Sequence, residues 1–270
     1  MEIRNNNDRL ANFYLEIMDL ENDVASLECS LTLDSELLKR WEQGEAALAL
    51  AAPTLDALKM FQHFSAVALA CLKWQAGPRP VAEAFIKALQ EMDKPAQEDF
   101  INALFKVNGH KTYWAKKLSI SVELLDFLGQ ATFKPLLKKY SETVVKQLPM
   151  DDWTYGHCPV CGDQPILAKL TGKEGYRKLF CGRCETEWRY KRIGCPYCQE
   201  ENASHTSFIT LDDHKQYRVY LCDRCKSYLK TVDERVCGEV DLFCEDLATA
   251  ELDKLAQAEG YQRGDKRQQV

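Results

Sequence analysis

The chain has 270 residues, 46% of them hydrophobic, with 35 Lys and Arg against 41 Asp and Glu for a formal net charge of −6. That apolar content suffices for a real core without disulfide staples, and the mild acidity argues against a polyanionic partner such as nucleic acid. No apolar run reaches the roughly 18 residues of a membrane span, and the start, Met1-Glu2-Ile3-Arg4-Asn5-Asn6-Asn7-Asp8, lacks the apolar stretch of a secretory leader. The expectation is a cytoplasmic protein with no membrane span, whose 12 cysteines stay reduced.

From residue 8 to 29, Leu10, Phe13, Tyr14, Ile17, Leu20, Val24 and Leu27 recur at steps of three and four, the pattern of an amphipathic helix. Residues 34–51 read as helical up to Pro53, and 56–74 as a strongly apolar helix. Cys29 and Cys71 lie in these stretches as small hydrophobes. Gly77-Pro78-Arg79-Pro80 is a break, and further helices are expected over 81–92, 97–107, 111–117 and 122–148, the last with a possible interruption at Gly129. Phe61, Phe64, Phe85, Phe100 and Phe105 fall at helical spacing and read as core.

After Pro149 the periodicity changes. Strands are expected at 165–169 and 176–180 around Thr171-Gly172-Lys173-Glu174-Gly175, then at 187–193, 208–211, 217–221 and 228–232. A final amphipathic helix covers 247–259 with Asp246 as its N-cap, and 264–270 reads as a disordered tail.

Four Cys-x-x-Cys pairs lie among these strands: Cys158/Cys161, Cys181/Cys184, Cys195/Cys198 and Cys222/Cys225. Two cysteines at this spacing present both sulfurs to one metal across a tight turn, so eight sulfurs make two tetrahedral four-thiolate sites for iron or zinc. The 19 residues between Cys161 and Cys181 and the 23 between Cys198 and Cys222 suit hairpins returning to their own metal. Sequential pairing is therefore favoured, although spacing does not exclude a nested arrangement. Each metal is expected to close a small sheet too poor in core to fold alone. Cys-Pro-x-Cys at Cys158 and Cys195 is the knuckle of rubredoxins and zinc ribbons. Cys237 and Cys244, six residues apart, have the wrong spacing for a knuckle, and His157 beside Cys158 reads as a surface residue rather than a substitute ligand.

The fold class expected is α+β: an all-helical domain over residues 1–148, two tandem rubredoxin-like or zinc-ribbon modules over 149–194 and 195–235, and a C-terminal helix and tail over 236–270.

The stretch from His157 to Arg263 resembles the formate dehydrogenase accessory protein family FdhE. The resemblance is carried by Cys158-Pro159-Val160-Cys161-Gly162, by Cys184-Glu185-Thr186-Glu187-Trp188 with Arg192, and by Cys195 and Cys198. It continues at Cys222-Asp223, Cys225 and Tyr228-Leu229-Lys230, then at Glu245-Asp246-Leu247-Ala248-Thr249, Leu252-Asp253 and Glu259-Gly260-Tyr261-Gln262-Arg263. The chain departs from the family at Tyr220, where an acidic residue is usual, and at Glu245, where aspartate is. The resemblance implies a rubredoxin-like metal binder, with iron in the family, that contacts the catalytic subunit of respiratory formate dehydrogenase in the cytoplasm during its maturation.

Three functions remain to be weighed. As an accessory factor, the chain would present Arg183, Glu185, Glu187, Trp188, Arg189 and Arg192, together with Lys191, as a charged rim for its client, with Asp246 as a further contact. As a redox protein it would use iron in its thiolate sites. As a nucleic-acid binder it would stack bases on Tyr190, Tyr197 and Phe208. Residues 151–235 hold 14 Lys and Arg and 13 Asp and Glu. Eight bound thiolates and two divalent cations would make that region acidic, which disfavours the last reading. No phosphate loop or nucleophile–base set supports an enzyme, and four thiolates per metal leave no open position for catalysis.

Overall fold

The structure, a computed structural model, describes residues 13, 16, 17, 19, 20, 34–74, 79–106, 110–211 and 214–266. The chain divides into two compact units, one of residues 1–29 and 54–139, the other of 30–53 and 140–270. Most of the helix expected over 8–29, and Cys29 with it, lies outside the described residues. No described helix is long and apolar enough to cross a membrane.

The first unit is helical. Its helices are Ala57–Trp74, Arg79–Gln90, Lys94–Phe105 and Lys111–Lys117, with residues 122–139 of the long helix Val122–Val144. Asp93 caps the third by accepting the Ala96 N–H at 3.0 Å. Its aromatic core is centred on the buried Phe100, whose ring lies 4.9 Å from Phe64 and 5.0 Å from Trp114, both edge to face. Gly129 does not interrupt the long helix.

The second unit is built on a seven-stranded sheet. Its strands are β1 (Leu167–Thr171), β2 (Tyr176–Phe180), β3 (Glu187–Tyr190), β4 (Thr206–Leu211), β5 (His214–Cys222), β6 (Ser227–Asp233) and β7 (Gln262–Arg263). The order is β3-β2-β1-β6-β5-β4, with β7 alongside β6. Local hairpins β1–β2 and β4–β5 form where the sequence places them, but the two small sheets expected are one. Strand β1 runs parallel to β6, pairing Leu167 with Lys230 and Ala168 with Thr231. This pairing makes β6 central, and every one of its residues is buried.

Helix Leu242–Ala248 sets Leu242 in a cluster with Leu167, Phe180 and Val232, and helix Ala250–Ala258 lays Leu252 and Ala256 on Val219, Leu221 and Tyr228. The N-caps differ from the expected one: Asp241 caps the first of these helices, and Asp246 lies inside it. Gly264 and Asp265 are packed rather than tail. A Cβ on Gly264 would come within 2.1 Å of the Tyr197 ring.

Helices Ser35–Glu42 and Ala47–Leu50 also belong to this second unit. Asp34 caps the former through the N–H groups of Glu36 and Leu37.

Candidate metal centre

Three of the four knuckles turn in the same way. The residue after the second cysteine returns its N–H to the carbonyl of the first: Gly162 to Cys158 at 3.0 Å, Glu185 to Cys181 at 2.9 Å, and Gln199 to Cys195 at 3.0 Å. So tight a return needs the left-handed backbone region. Gly162 adopts it at φ 80°, and Glu185, Gln199 and, in the fourth knuckle, Lys226 accept it at 57°, 59° and 53° despite their side chains. Three of the lead cysteines are also tied from their own N–H: Cys158 to Asp163, Cys181 to Thr186 and Cys195 to Glu200.

These turns bring together the sulfurs of Cys158, Cys161, Cys181 and Cys184, and separately those of Cys195, Cys198, Cys222 and Cys225, each set lying within 4.8 Å of one another. The hairpins make the pairing sequential. In the first set Sγ–Sγ distances are 3.5 Å for Cys158–Cys184 and 3.4 Å for Cys161–Cys181; in the second they are 3.6 Å for Cys195–Cys225 and 3.7 Å for Cys198–Cys222. A tetrahedron with metal–sulfur arms of about 2.3 Å has edges of about 3.8 Å, so both sets fit one ion each with a small expansion. Four sulfurs suit zinc and iron alike.

The electrostatics point the same way. Burial pushes the Cys181 thiol well above its ordinary value, while hydrogen bonds from its neighbours and Thr186 outweigh burial at Cys184 and hold it well below. In the second set a hydrogen bond from Cys195 holds Cys225 down to about 4, and burial raises Cys198 to about 11. Four thiolates this close repel one another, and only a cation at their centre lets all of them ionise.

The two sites differ in enclosure. All four cysteines of the first are buried, whereas Cys198 and Cys225 of the second are half-exposed. The first site is also braced from afar in sequence. The Trp41 indole N–H and the Ala47 N–H both donate to the Pro159 carbonyl at 3.0 Å, and the Leu48 N–H donates to Val160 at 2.7 Å. Trp41 is fully buried, its ring 4.8 Å from that of Trp153. On the other side, the Thr186 hydroxyl lies 3.0 Å from the Cys184 sulfur and 2.7 Å from the Ser141 hydroxyl, which fixes the sulfur's direction.

The residues expected at a charged rim do not share one environment. Arg189 and Arg192 are exposed, Arg189 lying over the Tyr176 ring and Arg192 donating to the Gly175 carbonyl. Arg183 and Glu185 are half-buried at the knuckle. Trp188, by contrast, is 1% exposed and donates its indole N–H to the Tyr155 carbonyl, so it is a core residue and not a surface contact. Its place on β3 turns it inward, as the alternation with exposed Arg189 requires. Glu187 pairs with buried Lys169 at 2.9 Å, and Lys169 also reaches Glu234 at 3.2 Å.

Asp246 likewise serves an internal network instead of capping a helix. Its carboxylate lies 2.9 Å from Lys230 and 2.7 Å from Arg263; Lys230, 1% exposed, is also 2.7 Å from Asp253. Spacing alone does not reveal this buried charge cluster, although Lys230, Asp246, Asp253 and Arg263 all lie in the stretches that carry the resemblance. His157 donates from Nε2 to the Gly44 carbonyl, 2.9 Å away, and stands outside the sulfur set, as do exposed Cys237 and Cys244.

Comparison with known proteins agrees with this geometry. Residues 157–192 match the family model described as the FdhE central domain, and 193–268 match that of the FdhE C-terminal domain. A protein FdhE homolog of Aquifex aeolicus (strain VF5) is 26% identical over 260 residues, covering 94% of this chain and 85% of that protein. Protein FdhE of Escherichia coli (strain K12) is 34% identical over 110 residues, which cover 40% of this chain and 35% of the relative. The crystal structure of the FdhE protein from Pseudomonas aeruginosa shares the fold, with a TM-score of 0.63 at 21% identity over 94% of this chain and 85% of that one. Residues 157–268 thus match the FdhE central and C-terminal domains in order, with both paired sulfur sites inside the matched stretch.

Proposed function

We propose that this chain is a non-catalytic, metal-binding accessory factor that binds the catalytic subunit of formate dehydrogenase in the cytoplasm and is needed for its maturation. The match of residues 157–268 to the FdhE central and C-terminal domains is the observation that carries this reading. The site chemistry is consistent with it: two closed four-sulfur sets leave no position at which a metal would meet substrate, so a bound ion would supply shape to the sheet rather than hydrolytic chemistry.

The surface assigned to the client is the part of the rim that faces outward, Arg183, Glu185, Arg189 and Arg192. Glu187, Trp188 and Asp246, each engaged with buried residues, are left out of it. Co-purification of the client with this chain tests the reading. Replacing Arg183, Arg189 and Arg192 with glutamine is expected to weaken capture at least tenfold while metal content stays constant; unchanged capture would remove the rim from the reading, and no capture by the unaltered chain would remove the function.

A second reading rests on the half-exposed Cys198 and Cys225. With iron in the second site, those sulfurs would give an electron partner access, and the chain would pass electrons during client maturation. Metal analysis of anaerobically purified protein, with a visible spectrum before and after oxidation, separates the two. Zinc in both sites with no colour change rejects electron transfer and leaves the accessory role standing.

A further inference from the structure

Beside the second sulfur set, on one face of the sheet, lies a cavity of about 320 Å³. Its volume is at the small end of the range for organic ligands. Its wall is divided by chemistry: Phe208, Tyr220, Leu221 and Leu229 are apolar or aromatic, while Arg177, Arg192 and Arg218 supply positive charge. No carboxylate lines it among the described residues.

The three arginines are not equivalent. Arg218 is paired with Asp233 at 3.3 Å, and Arg192 is turned toward the Gly175 carbonyl. Arg177 is only 2% exposed. One of its terminal nitrogens donates to the Gly194 carbonyl at 2.9 Å, and the Tyr220 ring lies 5.1 Å from the guanidinium carbon, but its Nε is buried with no hydrogen-bond partner. A buried guanidinium keeps its charge, and a donor left unmet in such a place is costly unless something else meets it. At the mouth, Phe208 and Ile193 are 53% and 56% exposed, large apolar groups held in water beside a cationic floor.

We propose that this cavity binds a carboxylate carried on a small apolar body, the anion meeting Arg177 and the body covering Phe208 and Ile193. A carboxylate is the acceptor that suits a guanidinium, and it would supply the negative charge that this arginine-lined wall lacks. The inference depends neither on which metal fills the sulfur sites nor on the client. The chemistry is shared by a free organic acid and by the last residue of a polypeptide.

The test is calorimetric titration of the full chain, loaded with zinc, with phenylacetate, phenylacetamide and N-acetylphenylalanine. Saturable binding of phenylacetate is expected, with the amide at least tenfold weaker. Arg177→Met should lose at least tenfold for phenylacetate. Because that substitution is buried, Ile193→Glu provides a second variant: Ile193 is an exposed residue of the lining, and a carboxylate there should repel the ligand by a similar factor without disturbing the core. N-acetylphenylalanine binding more tightly than phenylacetate identifies a chain terminus as the source, and weaker binding identifies a free acid. The proposal is overturned if acid and amide bind alike, as they would were Arg177 only a counter-charge to the neighbouring thiolates. Absence of saturable binding to the unaltered chain, or undiminished binding to Ile193→Glu, overturns it as well.

Discussion

At Gly156 a Cβ would stand 1.9 Å from the carbonyl oxygen of Pro196, a backbone atom of the third knuckle that has no freedom to withdraw. Gly156→Ala is therefore expected to cost about 2–3 kcal/mol or more, read as a lowered urea midpoint at constant metal content. Gly129 is its opposite: it sits in the long helix with nothing within 4 Å of an added Cβ, so Gly129→Ala should be neutral or stabilising by up to about 1 kcal/mol. The same scale governs Asp246. Its loss leaves Arg263 and the buried Lys230 short of one carboxylate, although Asp253 still reaches both. Asp246→Asn should destabilise by about 2 kcal/mol, below the usual cost of breaking a buried pair because a partner remains. A change in client capture with stability unaltered would contradict this internal role.

At the scale of the element, the contrast between the two sulfur sites sets an order of events. Cys198 and Cys225 are half-exposed, while the first site is enclosed and braced by Trp41, Ala47 and Leu48. A chelator should strip the second site first, so timed metal analysis after adding a thiol-competitive chelator is expected to pass through a one-metal species; simultaneous loss would contradict the inequality. What the sequence made legible follows the same division between local and distant. Knuckles, hairpins and the aromatic helices are local patterns, and Cys158, Cys195 or Phe100 could be placed from their neighbours alone. The bracing of Pro159 by Trp41 spans 118 positions, and the parallel alliance of β1 with β6 has no hairpin turn to announce it. Trp188 and Asp246 were legible as members of a family pattern but not as interior groups, because burial is decided by which strands and helices arrive from elsewhere. Arg177 gave no signal at all: in a polar-looking hairpin it reads as a solvated charge.

Over the whole molecule, acidity should act through the thiols. Binding a metal requires each sulfur to give up its proton, so retention must rise with pH and fail as the pH drops. The spread from about 4 at Cys225 to about 11 at Cys198 belongs to the metal-free set, and it marks how unequal the four protons are before an ion arrives. Zinc content measured from pH 8 down to pH 4 is expected to fall, with the sheet's circular dichroism following the metal while the aromatic helical core retains its signal. A sheet that persists after both ions are lost would contradict the structural role assigned to them. The parallel pairing of β1 with β6 adds a consequence in time. Strand β1 leaves a ribosome about sixty residues ahead of the partner that completes its other edge, a delay of roughly 3–12 s at ordinary rates of synthesis. Within that interval Cys181 and Cys184 complete the first set of four about forty residues before β6 is made, so the growing chain can capture its first ion as a nascent hairpin and await the second half of its sheet.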